Sequence, residues 1–282
     1  MLIPLLLLMF CLLLRAEATM AAASAACRLF VSAVLPGLFP YMVLSLMVVS
    51  RVRRPSPALI LLLGWGGGSP TGARLLPLCP GLTRREQIRL AVSCATMSPM
   101  FLLGTVGGWL GSPLAGAVCL VSVIAGGWLA GWGTYMLCRK GPLSHPQADA
   151  SSPGGRAFAY LSFGAAVEQA ARTMLLVCGT MVMLRVFAAL AAEALPSRLT
   201  LPVTTLLEVT TGAVEIAALP LPLAWRTALI AGATGFGGMA ILMQNRAVYG
   251  AGFLPLGVQI GWQAVHGGIS FVIALGMMTL VC

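Results

Sequence analysis

Five stretches of apolar sequence, each near or above the length of a membrane-crossing helix, constrain what this chain can fold into. They lie at residues 29–50, 91–111, 114–138, 173–192 and 255–282. A helix needs about 20 apolar residues to cross the hydrocarbon core of a bilayer. With 59% hydrophobic and 9% charged residues, the chain has more apolar surface than a water-soluble core of this size can bury. The sequence therefore predicts an all-α, polytopic transmembrane helical bundle in a multi-pass integral membrane protein.

The distribution of positive charge favours membrane topology over nucleic-acid binding. The formal net charge is +10, but the 17 basic residues stand singly or in small groups beside apolar stretches. The groups are Arg51, Arg53 and Arg54, then Arg84, Arg85 and Arg89, and then Arg139, Lys140 and Arg156. Basic residues concentrate in cytoplasmic loops, so residues 91–111 would cross outward and 114–138 would cross back. We expect the lipid bilayer as a partner, and no nucleic acid.

Cysteine and histidine do not indicate a metal or cofactor site. The 8 cysteines contain no C-x-x-C pair, and most lie in apolar segments, where a free thiol behaves as a small hydrophobe. The 2 histidines, His145 and His266, are too few for a histidine metal cluster. The sequence therefore predicts no metal and no cofactor.

The first residues allow two interpretations. Residues 2–14 are almost wholly apolar, and Ala16-Glu17-Ala18 resembles the small-residue cleavage site of a signal peptide. No Lys or Arg precedes the apolar run, although a signal peptide carries positive charge there. We expect a retained first helix that ends near Met20, and cleavage is the alternative.

A polar segment at 139–157 separates two apolar halves of one transmembrane domain, 1–282. Pro, Gly, Ser and charged residues replace apolar ones there. We expect a first half at 1–138, a cytoplasmic-side loop at 139–157 and a second half at 158–282. Each half holds a long apolar helix, a shorter apolar stretch interrupted by glycines, and a further span. This order suggests an internal, inverted repeat.

A glycine-rich break interrupts the first half. The apolar run Leu59–Leu63 leads into residues 64–72, GWGGGSPTG, and apolar sequence resumes over residues 73–78. Each glycine costs a helix about 1 kcal/mol and a proline about 3 kcal/mol. We therefore expect a re-entrant hairpin of two half-length helices, with its broken tip near the middle of the membrane.

A second glycine-rich segment, AGATGFGGM, occupies residues 231–239 and is followed by Gln244. We expect a second re-entrant, broken-helix hairpin there. Two hairpins in corresponding positions point to a shared binding site. The alternative is that these glycines only let helices pack closely, as small residues do in membranes.

Between the hairpin and the next span, Thr83 and Glu86 form a capping-box pattern, so a helix should begin there. Pro99 should kink that helix and expose carbonyl groups near Ser98. The kink would either line a cavity or accommodate packing.

Motifs spread over roughly residues 30–270 carry a family resemblance. In the first half they are Leu35-Pro36-Gly37-Leu38-Phe39-Pro40, Gly67-Gly68-Ser69-Pro70-Thr71-Gly72-Ala73-Arg74, Thr83-x-x-Glu86 with Arg89-Leu90, and Ser98-Pro99-Met100-Phe101 with Gly104-Thr105-Val106-Gly107. In the second half they are Leu207-Glu208-Val209-Thr210-Thr211-Gly212, and Gly235-Phe236-Gly237-Gly238-Met239 with Gln244. By these motifs the chain resembles the YlbJ-type sporulation integral membrane proteins, which carry the nucleoside-recognition, or Gate, domain.

The resembled family is similar in plan to concentrative nucleoside transporters, which have two opposed helical hairpins. The resemblance implies a role in endospore formation, with dipicolinate moving across the outer forespore membrane. Localisation would be the cell membrane or the outer forespore membrane. The chain departs from the family pattern at residues 67–74, where Ser-Gly-x-Pro-x-Gly-Ala-Lys is more usual, and at Ser98, where Asn is more usual.

The broken tips favour a small anionic solute as cargo. Half-helices that begin at a break present unpaired amides and the positive end of the helix dipole. Arg74 follows the first tip, and its planar guanidinium group could hold a carboxylate through two parallel hydrogen bonds. The alternative roles for Arg74 are to extend its charged end to the membrane interface or to pair with Glu86. The candidate substrate-binding residues are Gly67, Gly68, Ser69, Thr71, Gly72, Arg74, Ser98, Gly237, Gly238 and Gln244.

Three ionisable residues in apolar sequence are candidates for ion coupling, namely Glu208, Glu215 and His266. On a helix, Glu208, Thr211 and Glu215 would share one face, which should look into the bundle or bind a proton or cation. A structural ion pair or an interfacial position is the alternative for the two carboxylates. His266 would either titrate during transport or tie helices together through hydrogen bonds.

Three further functional classes compete with an anion transporter. Ser69 and His266 are the residue types of an intramembrane protease dyad, but Pro70 follows the serine and no other hydrolase motif accompanies it, so we expect no enzyme. A non-transporting assembly or scaffold protein of the developing spore membrane is a second alternative. A nucleoside transporter is the third. The sequence leaves open whether the chain forms a homo-oligomer.

Overall fold

The structure, a computed structural model, describes residues 2–79, 81–137, 160–250 and 253–281. Every regular element in these ranges is helical, as the predicted fold class requires. The helices are α1 (Leu2–Leu14), α2 (Ala16–Leu29), α3 (Leu35–Arg51), α4 (Pro57–Gly67), α5 (Thr71–Leu75), α6 (Arg84–Ser93), α7 (Gly107–Trp109), α8 (Pro113–Leu137), α9 (Phe163–Ala194), α10 (Ser197–Leu207), α11 (Val209–Ala217), α12 (Leu223–Phe236), α13 (Gly238–Tyr249) and α14 (Leu256–Val281). A π-helical turn, Phe30–Val34, joins α2 to α3, and another, Phe101–Val106, precedes α7.

Five helical segments within the described ranges are long and apolar enough to cross a membrane. They are Ala16–Arg51, Pro113–Leu137, Phe163–Ala194, Leu223–Tyr249 and Leu256–Leu280. By the length and composition of its helices, the chain is a multi-pass membrane protein. The predicted span at 91–111 is not one continuous helix, because α6 ends at Ser93 and residues 95–98 are not helical.

Side-chain caps explain where several helices begin. Ser56 Oγ accepts from the backbone N–H of Leu59 at the start of α4, and Ser162 Oγ accepts from that of Ala165 at the start of α9. At α6 the predicted capping box is present, since the Glu86 carboxylate accepts from the Thr83 N–H at 2.8 Å. Hydrogen bonds from Thr83 hold the pKa of Glu86 below its ordinary value.

The helices follow the same order on either side of residues 138–159. A long helical segment comes first, α2–α3 or α9. A pair of short helices packed on each other follows, α4–α5 or α10–α11. An interrupted helix is next, α6 to α7 or α12–α13, and a long helix ends each series, α8 or α14. The predicted loop at 139–157 lies outside the described residues.

The second packed pair of short helices is not where the sequence analysis expected it. We predicted a hairpin over 231–239, but α12 packs against α14 and α8, whereas α13 packs against α9 and α10. The mutually packed pair is α10 with α11, and its turn is at Glu208, where the backbone is extended. At 237–238 the two positive-φ glycines redirect a helix without folding it back on itself.

Helix packing in the bundle depends on glycines along α8. The helix packs against α6, α12 and α14. A Cβ on Gly131 would collide with the Ser93 side chain, and a Cβ on Gly127 would lie 3.2 Å from the His266 ring. These glycines therefore let α6 and α14 approach the α8 backbone, as small residues do between membrane helices.

Candidate functional site

The turn of the first helix pair, α4–α5, is built by Gly68 and Ser69. Helix α4 ends at Gly67, and Gly68 has φ +64°, in the left-handed region. The backbone N–H of Ser69 donates to the carbonyl of Thr96 at 2.6 Å. A Cβ on Gly68 would lie 2.5 Å from the backbone nitrogen of Ser98. The first turn therefore rests directly on the break between α6 and the helix that follows it.

The turn of the second helix pair, α10–α11, is built by Glu208. Its carboxylate accepts from the N–H groups of Thr210 at 2.9 Å and Thr211 at 2.7 Å, which caps α11. A Cβ on Gly238 would lie 3.2 Å from the Leu206 carbonyl and 3.4 Å from the Val209 nitrogen. This turn rests on the break between α12 and α13, as the first turn rests on its own break.

The two turns meet at a pocket between the halves, which we call the central pocket. Its empty volume is about 450 Å³, part of it open to the surroundings. Polar lining residues are Ser69, Ser98, Glu208, Thr210 and Gln244. Apolar walls come from α3, α9 and α13, among them Leu38, Met181 and Ile241. The sequence features that break the helices therefore also supply most of the polar groups of the pocket.

Hydrogen bonds hold the polar side chains of the central pocket in place. Ser69 Oγ donates to Asn245 Oδ1 at 2.6 Å, and Gln244 Nε2 donates to Thr180 Oγ1 at 2.8 Å. Ser98 Oγ accepts from the N–H of Phe101 at 3.2 Å. All of these side chains except Thr180 are buried, so their orientation is set by protein contacts and not by solvent.

Electrostatically, the central pocket is dominated by one carboxylate. Among the described residues that line it, Glu208 alone is charged, and it is only 1% exposed. Two backbone amides and the positive end of the α11 dipole stabilise it, in place of a basic side chain. A negatively charged ligand would therefore meet a carboxylate in this pocket.

The predicted face of Glu208, Thr211 and Glu215 does not form. Glu208 is the extended residue before α11, so helical spacing does not apply to it. Glu215 instead faces Arg185 of α9, with 3.5 Å between Oε1 and Nη1. Helix spacing was the wrong rule here because a carboxylate before a helix is held by the first free amides.

The predicted substrate-binding residues divide into three groups. Ser69, Ser98 and Gln244 line the central pocket. A second group shapes the turns and breaks, and it consists of Gly67, Gly68, Thr71, Gly72, Gly237 and Gly238. Within it, Thr71 Oγ1 donates to the Gly67 carbonyl at 3.2 Å. Arg74 is exposed, whereas the residues on either side of it are buried. It lines neither pocket described here.

His266 belongs to a second pocket, between α6, α13 and α14, with an empty volume of about 390 Å³. Its Nε2 lies 2.9 Å from the Val123 carbonyl of α8, which requires the proton on Nε2. Asn245 and Gln263 also line this pocket. Ser69 and His266 therefore have separate partners and line different pockets.

Asn245 and Thr180 are not among the substrate-binding residues predicted from the sequence, although Asn245 stands beside Gln244 in a polar pair near the second glycine-rich segment. Asn245 holds Ser69, and Thr180 holds Gln244, across 176 and 64 residues of sequence. Only the polar residues at 244–245, within an otherwise apolar helix, offered a signal. No group of three His, Cys, Asp or Glu side chains suited to a metal ion occurs in the parts of the chain that the structure describes.

Fold and site together define a multi-pass helical membrane protein in which two pairs of short helices meet at a pocket with both polar and apolar lining residues. Comparisons of the chain with protein-family models, with curated proteins and with solved structures find no match.

Proposed function

We propose that this chain is a multi-pass membrane transporter of a small solute, built on two re-entrant hairpins related by an inverted repeat. The observation that carries the proposal is the meeting of the Ser69 and Glu208 turns at the central pocket, each turn resting on a break in the following helix. Transporters of this general design place their binding site where interrupted helices meet.

Helix lengths support the re-entrant hairpins. Helices α4 and α10 each have 11 residues, which corresponds to about 16 Å, near half the hydrocarbon thickness. A first helix of this length that enters from one side would place the turn that follows it near the midplane. Irregular backbone at that depth requires protein or a cavity beside it, and both turns have such surroundings.

Helix order supports the inverted repeat. Each half would cross the membrane three times, through a long helix, an interrupted helix and a second long helix. The hairpin would not cross, because it returns to the side it came from. Three crossings place the second half in the opposite orientation to the first. Two contacts agree with this path: Arg51 Nε donates to Tyr160 Oη at 2.8 Å, and Arg15 pairs with Glu193 at 3.2 Å. Each contact joins helix ends that the path puts on one side.

The first candidate substrate is dipicolinate, the anion that the family resemblance implies. It would cross the outer forespore membrane or the cell membrane. Glu208 then has to be neutralised while the anion is bound, so we assign it the co-transported proton or cation. Its position in the pocket and the lack of a basic residue in the described lining support this role.

A nucleoside is the second candidate substrate, and the lining of the central pocket favours it. Ser69, Gln244 and Glu208 offer hydroxyl, amide and carboxylate groups, which suit the hydroxyl and ring N–H groups of a neutral solute. Phe101 adds an aromatic wall. A scaffold protein of the spore membrane remains the non-transporting alternative.

Uptake by vesicles that contain the purified full-length chain tests the proposal. Labelled dipicolinate and labelled uridine are each offered with and without a pH or sodium gradient. We expect gradient-driven uptake of one of them that depends on the protein and is lowered by Glu208→Gln. The exposed Glu168, paired with Arg172 on α9, provides the control variant Glu168→Gln. Equal accumulation of both solutes with and without protein would leave the scaffold as the better explanation.

A further inference from the structure

Three arginines near the start of α6 are stacked on aromatic rings. The Cζ atom of Arg84 lies 4.3 Å from the ring centroid of Phe253. The corresponding distances are 4.8 Å from Arg85 to Tyr135 and 4.9 Å from Arg89 to Trp132. Stacking holds a planar guanidinium in place and leaves its N–H edge available to an anion.

The aromatic residues under Arg85 and Arg89 belong to the last turns of α8, whereas Phe253, under Arg84, lies just before α14. Trp128 and Trp132 make an edge contact at 6.1 Å between centroids, and Trp132 and Tyr135 make one at 5.6 Å. Trp and Tyr at the end of a membrane-crossing helix lie at the level of the lipid headgroups. The stacked guanidinium groups are therefore at headgroup level as well.

Positive charge at this end of the bundle is in excess. Arg53 and Arg54 follow α3, and Cys79 Sγ donates to the Pro55 carbonyl at 3.0 Å, which joins the end of that segment to the chain shortly before α6. The nearby acid, Glu86, is engaged by Thr83 in the capping box.

Arg85 and Arg89 have little acidic charge beside them, since the carboxylate that interacts electrostatically with Arg89 is that of Glu86, which Thr83 holds in the capping box. Neither arginine has a salt bridge to a described residue, and the buried Nε of each has no hydrogen-bond partner there. The Arg85 Nη2 donates to the Tyr135 carbonyl, which fixes the side chain along α8. These two guanidinium groups are therefore positioned by the protein without being paired in a salt bridge to a described residue.

We propose that this arginine–aromatic face, formed by Arg84 on Phe253 and by Arg85 and Arg89 on Tyr135 and Trp132, binds the phosphate headgroup of an anionic phospholipid. Two adjacent guanidinium groups suit the bidentate recognition of phosphate oxygens. Exposed apolar side chains of α8, Leu129 and Met136, provide a surface for the acyl chains. That surface is the reason to assign a lipid and not a free anion. Basic pockets between membrane helices bind such headgroups through the same chemistry.

The experiment measures which lipid the full-length chain retains. The protein is incorporated into nanodiscs of phosphatidylcholine and phosphatidylglycerol, released into detergent, and its bound lipids are counted by native mass spectrometry. We expect selective retention of phosphatidylglycerol, with an apparent affinity roughly thirtyfold lower in the double variant Arg85→Gln/Arg89→Gln. Arg85→Lys/Arg89→Lys keeps the charge and should retain an intermediate amount.

Controls separate lipid binding from folding and from free-anion binding. Arg172→Gln/Arg198→Gln removes two exposed charges elsewhere and should retain lipid as the unmodified chain does. If the α6 double variant does not fold, Arg53→Gln/Arg54→Gln changes only exposed side chains and should still lower retention severalfold. Equal retention of both lipids by the unmodified chain would overturn the proposal. So would displacement of phosphatidylglycerol by millimolar inorganic phosphate, because it would identify a free-anion site.

Discussion

Ser69 Oγ donates a 2.6 Å hydrogen bond to Oδ1 of Asn245, and this bond joins the turn of the first helix pair to the interrupted helix of the other half. Ser69 lines the central pocket and Asn245 lines the second pocket. The bond therefore lies between the two pockets, at the place where the halves of the bundle meet.

The Ser69–Asn245 bond should contribute to stability as a pair. We expect Ser69→Ala and Asn245→Ala each to lower the free energy of unfolding by about 0.5–2 kcal/mol, the range for hydrogen bonds between membrane helices. The double variant should cost less than the sum, because the second change removes a group that the first left unpaired. Thermal unfolding in detergent measures all three. Strict additivity would show that the bond contributes nothing.

Substitution of Gly68 should be among the most damaging changes to the first turn. Gly68→Ala forces a Cβ into a left-handed conformation and within 2.5 Å of the Ser98 nitrogen. We expect a loss of at least about 2 kcal/mol, since a positive φ combined with an extended ψ is adopted essentially only by glycine and costs another residue about 1–3 kcal/mol. Gly104→Ala is the matched control, because a Cβ there meets nothing within 4 Å. The two variants are compared by their midpoints of thermal unfolding, and similar midpoints would contradict the structure of the turn.

Glu208 should determine how transport responds to an ion gradient. Glu208→Gln keeps the shape of the side chain but cannot exchange a proton or balance a cation. We expect gradient-driven uptake to fall by roughly tenfold or more, the equivalent of about 1.4 kcal/mol. The rate of the remaining uptake should be the same with and without the gradient. Initial uptake rates with and without the gradient give the answer. A variant that still follows the gradient would assign the coupling to another group.

Arg74 should be dispensable for substrate binding, in contrast to the role that sequence analysis assigned it. It is exposed and lines neither pocket. We expect Arg74→Ala to change the apparent substrate affinity in vesicles by less than about twofold, within the small effect of a surface substitution. Gln244→Ala, which alters the pocket lining, is the comparison. A large loss of apparent substrate affinity in Arg74→Ala but not in Gln244→Ala would contradict this expectation. It would mean that α5 rotates during transport and brings Arg74 into contact with the substrate.

The Glu86 capping box should make stability depend on pH. Because hydrogen bonding lowers the pKa of Glu86 in the folded chain from its ordinary 4.5, this contribution is present above that value and is lost as the pH falls through the lower folded-state pKa. Thr83→Ala should cost about 1 kcal/mol at neutral pH. Glu86→Gln keeps a cap without a titrating group, so its acid destabilisation should be smaller. Thermal unfolding at about pH 7 and about pH 3 tests the difference.

Local chemistry explains which parts of the structure could be predicted. Membrane-crossing length, the Thr83–Glu86 cap and the breaks at Gly68 and Gly237 follow from composition and from backbone preferences over a few residues. The position of the second turn could not be predicted because that turn contains no glycine. Glu208 instead ends α10 by taking an extended conformation and capping α11 with its own carboxylate.

Composition and short-range sequence pattern are enough to specify a helical, membrane-crossing chain that is interrupted at glycine-rich points, because each of these properties depends on neighbouring residues. Long-range packing brings Ser69 to Asn245 and Gln244 to Thr180, and it leaves Arg74 exposed and outside the lining of both pockets. Those contacts depend on how helices far apart in sequence pack, and helix periodicity does not specify which polar side chains will face each other across the bundle.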